Sequence, residues 1–255
     1  WEVINDWWAY YDNPEGYLHA DIPEMRFFLD QEYNEIALVS TDGGIYMLDS
    51  NLENANNLSL NGLGVSQYYS TYTKRTPPYH IYAGSQDQGF QRSNGDQGGI
   101  LDFVQSISGD YGHLDSGDGG ETLWSNYPGF TMYYSNPQGG GGGITLDFPG
   151  TGHMWLAPLI ADPQLANVAY LGGGTTTTGN HIIRLSAGNW SISYEQLEQS
   201  FSGTISAMAI SPINYNYWYV LTETGKFYHS SNAGDSWQMT SNFTGPSPQY
   251  FYGSS

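Results

Sequence analysis

Bases are nearly missing from this sequence. Its 255 residues include two lysines, Lys74 and Lys226, and four arginines, Arg26, Arg75, Arg92 and Arg184, against 25 acids. The formal net charge is −19. Only 12% of residues are charged, about half the usual share of roughly 25%. The excess therefore comes from absent bases more than from abundant acids. Duplex-style nucleic-acid binding needs several Lys or Arg on one face, so it is excluded. Docking on an anionic membrane surface is disfavoured for the same reason. A chain of this charge stays soluble and attracts cations or neutral, hydroxyl-rich ligands. Cysteine is absent, so disulfides and thiolate metal sites are excluded. No run approaches the roughly 18 apolar residues of a membrane-spanning helix. The chain opens on Trp1, without Met or signal peptide, which reads as a processed product or part of a longer chain.

What is abundant is aromatic and glycine. Aromatics make up 16% of the residues, with 22 Tyr, and there are 33 Gly. Tyr, Trp, Thr and Val suit pleated surfaces, while Gly, Asn and Asp suit tight turns. Long Leu/Ala/Glu/Lys windows are missing, so the expectation is an all-β fold of short strands. The aromatic content argues against disorder. Gly139 to Gly143 and the tail 245–255 read as flexible.

A repeated unit organises the rest. An apolar strand, a polar Gly turn and a second apolar strand appear in IALVSTDGGIYML (Ile36 to Leu48) and HIYAGSQDQGFQRS (His80 to Ser93). They recur in VAYLGGGTTTTGNHIIRL (Val168 to Leu185) and YWYVLTETGKFYHS (Tyr217 to Ser230). Anchored on Gly44, Gly89, Asn180 and Gly225, the steps are 45, 91 and 45 residues. The skipped copy is expected near Met132 to Leu146. Such a period predicts a β-propeller of four-stranded blades. The expected layout is five to six blades over residues 1–244, alone or as part of a larger propeller.

The last unit runs into Ser230-Ser231-Asn232-Ala233-Gly234-Asp235-Ser236-Trp237. This resembles the Asp-box, the S-x-D-x-G-x-[ST]-W hairpin of sialidase-like, sortilin-like and xyloglucanase-like propellers, with Asn232 in place of Asp. The resemblance implies a structural role for Ser230, Asn232, Gly234, Ser236 and Trp237. The blocks at Asp42-Gly43-Gly44, Gln86-Asp87-Gln88-Gly89 and Gly109-Asp110-Tyr111-Gly112 resemble large secreted bacterial Asp-box repeat proteins. That likeness implies a secreted or cell-surface location.

Three kinds of chemistry deserve weighing. Thr41-Asp42-Gly43-Gly44-Ile45-Tyr46 resembles the turn that carries a catalytic acid in xyloglucan-cleaving hydrolases, and Asp110 resembles the second acid. Glycoside hydrolysis needs two carboxylates about 5–10 Å apart. In that family the two acids come from two facing propellers, whereas here both lie in one. The alternative for Asp42 is an Asx-turn closing a hairpin. A sialidase would need an arginine cluster, and no motif gathers three of the four. The run Gly109 to Glu121 carries Asp110, Asp115, Asp118 and Glu121, oxygen ligands of the kind Ca²⁺ takes. It reads equally as a solvated loop. Trp7, Trp8, Trp124, Tyr127, Tyr133 and Tyr134 are flat faces for a neutral sugar, or fillers between blades.

These features point to a recognition or structural module whose partner is a glycan, a surface protein or a secretion-system protein. No cofactor other than structural Ca²⁺ is implied. Two alternatives stand beside this reading. One is a glycoside hydrolase using Asp42 and Asp110. The other is a non-catalytic segment of a long exported cell-surface protein.

Overall fold

The computed structural model describes residues 5–59, 66–94, 101–138, 143–174 and 180–240, with the backbone alone for Trp7. Most of the Gly139–Gly143 run and the whole 245–255 tail lie outside the described residues. Backbone contacts group the chain into two compact units. One comprises Trp1–Thr73 and Pro77–Tyr111, the other Lys74–Thr76 and Gly112–Ser255.

The first unit opens with a 3-10 helix, Trp7–Tyr11, capped by the Asp6 carboxylate, which accepts from the Trp8 N–H. Two sheets follow. The first blade is β1 (Glu24–Leu29), β2 (Glu35–Thr41), β3 (Gly44–Leu48) and β4 (Ala55–Asn57). The second is β5 (Tyr68–Thr73), β6 (Ile81–Ser85), β7 (Phe90–Ser93) and β8 (Phe103–Ile107).

The second unit holds three more. The third blade is β9 (Leu114–Asp115), β10 (Leu123–Tyr127), β11 (Phe130–Tyr134) and β12 (Ile144–Asp147). The fourth is β13 (Leu159–Ala161), β14 (Val168–Gly173), β15 (His181–Ala187) and β16 (Ile192–Gln196). The fifth is β17 (Ile205–Ile210), β18 (Trp218–Thr222), β19 (Phe227–Ser230) and β20 (Gln238–Met239). Every sheet is antiparallel and runs in chain order from one edge to the other. The chain is thus all-β and built of β-propeller blades, five among the described residues.

One repeat copy is displaced from its expected place. In the third blade the central hairpin is β10–β11, with Tyr127 opposite Phe130 across a Pro128-Gly129 turn. The strands around Met132 to Leu146 do pair, but as the third and fourth of the blade. The glycine run therefore joins β11 to β12. Gly129 (φ 102°) is the second residue of that turn, the position Gly43 holds between the paired Thr41 and Gly44.

Packing explains the continuous apolar runs. In β14 all six residues are buried. Side chains alternate across a strand. Ala169 and Leu171 pack with Trp124, Tyr133, Leu159, Ile183 and Leu185. Val168 and Tyr170 face the other way, against Ile205, Trp218, Val220 and Tyr228. In the first blade, Ala37, Val39, Tyr46 and Leu48 are covered by Tyr10 and Leu18 of the N-terminal segment.

Two hairpins share one hydrogen-bond scheme. The Ser230 hydroxyl donates to Asn232 Oδ1 (2.9 Å) and accepts from the Gly234 N–H (3.0 Å). Asn232 Oδ1 also accepts from the Ser236 N–H (3.0 Å), and Trp237 Nε1 donates to the Gly234 carbonyl (3.0 Å). The β9–β10 connection repeats this. Ser116 donates to Asp118 Oδ1 (2.8 Å) and accepts from the Gly120 N–H (2.8 Å). Asp118 accepts from the N–H and hydroxyl of Thr122, both at 3.0 Å.

Candidate functional site

The first unit gathers its carboxylates around Asp87. This residue sits in the β6–β7 turn with φ 62°, a left-handed conformation that a non-glycine side chain adopts at a cost. Gly89 follows at φ 73°, where a Cβ would fall 1.8 Å from the Ile107 carbonyl oxygen. The turn is pinned from three sides. The Asp87 N–H donates to Asp110 Oδ1 (2.9 Å), and the Asp87 carbonyl accepts the Tyr10 hydroxyl. Gln88 Nε2 donates to the Gly43 carbonyl (3.4 Å), tying the turn to that of the first blade.

The Asp87 side chain is only 15% exposed, with the His19 Nε2 3.5 Å from its Oδ1. His19 Nδ1 lies 3.0 Å from the Ala20 carbonyl, which can only accept, so Nδ1 bears the proton. Burial, and after it the charges of Asp110 and Asp42, push the Asp87 carboxyl up to about 7. The hydrogen bond that the protonated Asp87 carboxyl donates to Asp110 and the charge of Asp21 act in the same direction. Nearby phenols respond alike. Burial and the charges of Asp110 and Asp87 raise Tyr69 to about 12. Tyr10 and Tyr11 are raised as well, again mainly by burial.

Asp87 and the exposed Asp42 line one open cavity of about 400 Å³. Its walls also include Thr41, Ile45, Ser59, Gln86 and Gln88. The cavity is therefore acidic and rich in amide and hydroxyl groups. It can hold a polar or cationic ligand, and Asp87 can exchange a proton near neutrality.

Asp42 and Asp110 thus both act on Asp87, a third acid that sequence reasoning did not rank as a site. A signal was present. Asp42 and Asp87 are 45 residues apart, the same blade position one repeat later.

The aromatic platforms fare differently. Trp124 is fully buried and donates Nε1 to the Ala166 carbonyl (3.1 Å). Tyr133 and Tyr134 are buried too. These three are core, because a strand between two covered faces buries both of its alternating sets. Tyr127 is half-buried and stacks on Phe130, with centroids 4.7 Å apart. Trp8 stays exposed, 5.9 Å from Tyr11. The Trp7 side chain lies outside the described residues.

The calcium expectation meets carboxylates that are already engaged. Asp118 closes its hairpin. Asp115 is half-buried, accepting from the Ala161 N–H (2.9 Å) and the Ser116 N–H (2.8 Å). Glu121 pairs with Lys74 (3.1 Å) and accepts from Thr76. Asp110 belongs to the other unit. Among the described residues no three His, Asp or Glu side chains gather to hold a metal ion.

No helix among the described residues is long and apolar enough to cross a membrane. The fold and this site define a β-propeller with an acidic cavity. No family model matches the chain, and neither does any curated protein. Among solved structures it is similar to the β-propeller domain of Myceliophteria thermophila Cps50 (Swd1), with TM-score 0.50 and 9% identity over 70% of this chain. The match spans 57% of that domain. A second similar structure, from the mitotic checkpoint complex, gives TM-score 0.49 and 12% identity over 91% of this chain and 66% of that one. At 9% identity the likeness to the Cps50 domain shows the fold alone.

Proposed function

We propose that this chain is a recognition module of an exported, Asp-box type β-propeller, and that its partner engages the acidic cavity of the first unit. The observation that carries this reading is Asp87: strained, nearly buried, and facing a 400 Å³ cavity together with Asp42. Strain and a perturbed carboxyl cluster at functional sites. The two Ser-centred hairpins, Ser116–Thr122 and Ser230–Trp237, support the Asp-box assignment. A surface protein is favoured over a glycan, since Trp124, Tyr133 and Tyr134 are buried and offer no stacking face to a sugar. The test is binding of the purified chain to arrayed peptides and arrayed neutral oligosaccharides. The expected result is a signal on at least one array that the Asp42→Asn/Asp87→Asn double variant loses. Equal signals from the wild type and the double variant would sink the reading.

A second reading is favoured by one specific observation, the grouping of Asp42 and Asp110 around Asp87. A carboxyl raised by burial beside other acids can serve as a general acid. In this reading Asp87 holds the proton as the acid, and Asp42 or Asp110 supplies the second carboxyl for hydrolysis of a glycosidic bond. Reducing-end release from polysaccharides, abolished in Asp87→Asn, is the expected result. Its absence across plant and marine polysaccharides excludes hydrolysis and leaves recognition standing.

A further inference from the structure

In the first blade the central strand β2 is covered on one face only, and the edge strand β1 is exposed on both, with Phe27 and Leu29 open on the covered side. Ala37 and Val39 of β2 are buried under Tyr10 and Leu18. The opposite face carries Arg26 and Phe28 of β1, Leu38 and Ser40 of β2, and Ile45 of β3. The register places these together: Arg26 opposite Leu38, and Ser40 opposite Ile45. In the fourth blade both faces of β14 are covered. Here Phe28 remains 46% exposed and Ile45 41% exposed. Glu24, Arg26, Phe28, Leu38, Ser40 and Ile45 border a groove of about 200 Å³ whose open walls are almost entirely apolar.

That groove adjoins the acidic cavity. Ile45 lines both. A ligand lying across Ile45 would therefore place an apolar group on Phe28 and Leu38 and a polar group against Asp42 and Asp87. Charge selects the polar group. Asp21, Asp42 and Asp110 all act on Asp87. No lining residue of the cavity is a base. The single base at the groove, Arg26, is paired to Glu24 at 2.6 Å. The field at the acidic end thus favours an ammonium or guanidinium. Neutral glycans lack both the cation and the large apolar side chain.

We infer that groove and cavity form one docking site for an extended polypeptide segment of a partner protein, in which a large apolar side chain lies close to a Lys or Arg. This rests on the recognition reading and narrows its partner to basic-apolar peptide.

The probes are fluorescein-labelled hexapeptides pairing Phe or Leu with Lys or Arg at separations of one to three residues. Control sets replace the base by Gln or the apolar residue by Ser. Anisotropy should rise for the basic-apolar set alone and weaken with added salt. Phe28→Ser and Ile45→Ser should each weaken binding by about tenfold or more, as expected for losing one buried apolar contact. Asp42→Asn should weaken it and remove most of the salt dependence. Unchanged far-UV circular dichroism and melting temperature confirm that each variant folds. Basic-apolar peptides binding no better than either control would overturn the inference. So would binding unaffected by both Phe28→Ser and Ile45→Ser. If those two variants are silent while Asp42→Asn abolishes binding, the groove is refuted and the acidic cavity stands. If only neutral oligosaccharides bind, and Asp42→Asn/Asp87→Asn abolishes it, the peptide inference fails and recognition survives. If nothing binds on either array, both readings fall.

Discussion

Asp87 brings most of the site's physics onto one side chain. Its carboxyl titrates near 7 in the folded chain, against about 4 in an unfolded one. A raised carboxyl means that the folded state holds a proton the unfolded state has released. Its stabilising contribution is complete below about pH 4 and is lost as pH rises through about 7. Asp115 is raised too, chiefly by burial, and acts with the same sign. Asp30 and Asp49 are lowered, chiefly by hydrogen bonds from Asn34 and Asn54. Their contribution is lost only at acid pH, below the window in question. Asp87→Asn is therefore expected to match or exceed wild-type stability at pH 8 and to lose that advantage at pH 5. Thermal melts of both proteins between pH 4 and 8 check this; a constant offset across the range would contradict it. The acids themselves were legible in the sequence as turn residues. Their convergence was not, because Tyr10, His19, Asp42, Asp87 and Asp110 are brought together by the folding of 101 residues of chain.

The hairpins show what a motif can and cannot announce. Ser230 to Trp237 was readable because its Trp follows the last Ser directly. Ser116 to Thr122 has the same Ser, acid, Gly and Thr spacing, yet Leu123 stands where the Trp is expected and Trp124 comes one residue later. The run therefore read as a solvated or calcium-binding loop. Its acid-rich look and its hairpin chemistry have one origin, since a short carboxylate can accept several nearby N–H and O–H groups. Asp118→Ala removes the acceptor for Thr122 N–H, Thr122 hydroxyl and Ser116 hydroxyl together. The expected loss is about 1–3 kcal/mol, or roughly 2–12 °C in melting temperature for a chain of this size. Asp118→Asn keeps one acceptor oxygen, as Asn232 does in the other hairpin, and should recover part of it. Equal losses in Ala and Asn variants would show that the charge, not the hydrogen-bond scheme, matters there. Strand placement was legible wherever the period held. It slipped in the third blade, where β9 has only two residues and the glycine run imitates a central turn. Burial of Trp124, Tyr133 and Tyr134 was not readable from composition, because a ring that binds a sugar and a ring that fills a blade interface are the same residue type.

At the scale of the whole molecule, the shortage of bases decides how the fold meets its solvent. With 25 acids and six bases, most carboxylates have no cation to pair with. The Arg26–Glu24 pair is largely exposed and contributes little, and Arg184–Glu195 is exposed on its Glu195 side. Repulsion among the remaining acids therefore outweighs attraction, and compaction raises it. Salt screens repulsion between exposed charges over about 10 Å at 0.1 M and about 30 Å at 0.01 M. Raising NaCl from about 0.01 M to about 0.3 M should accordingly raise the melting temperature at pH 7.5. The gain should shrink at pH 4.5, where part of the carboxylate charge is neutralised. Sodium sulfate is the wrong probe, since it also strengthens apolar burial. The same screening weakens attraction of a cationic partner to the Asp42–Asp87 cavity, so stability and affinity should move in opposite directions with NaCl. A melting temperature that falls with NaCl at pH 7.5 would mean that specific ion pairs, such as buried Lys74 with Glu121, govern the folded state more than the net charge does.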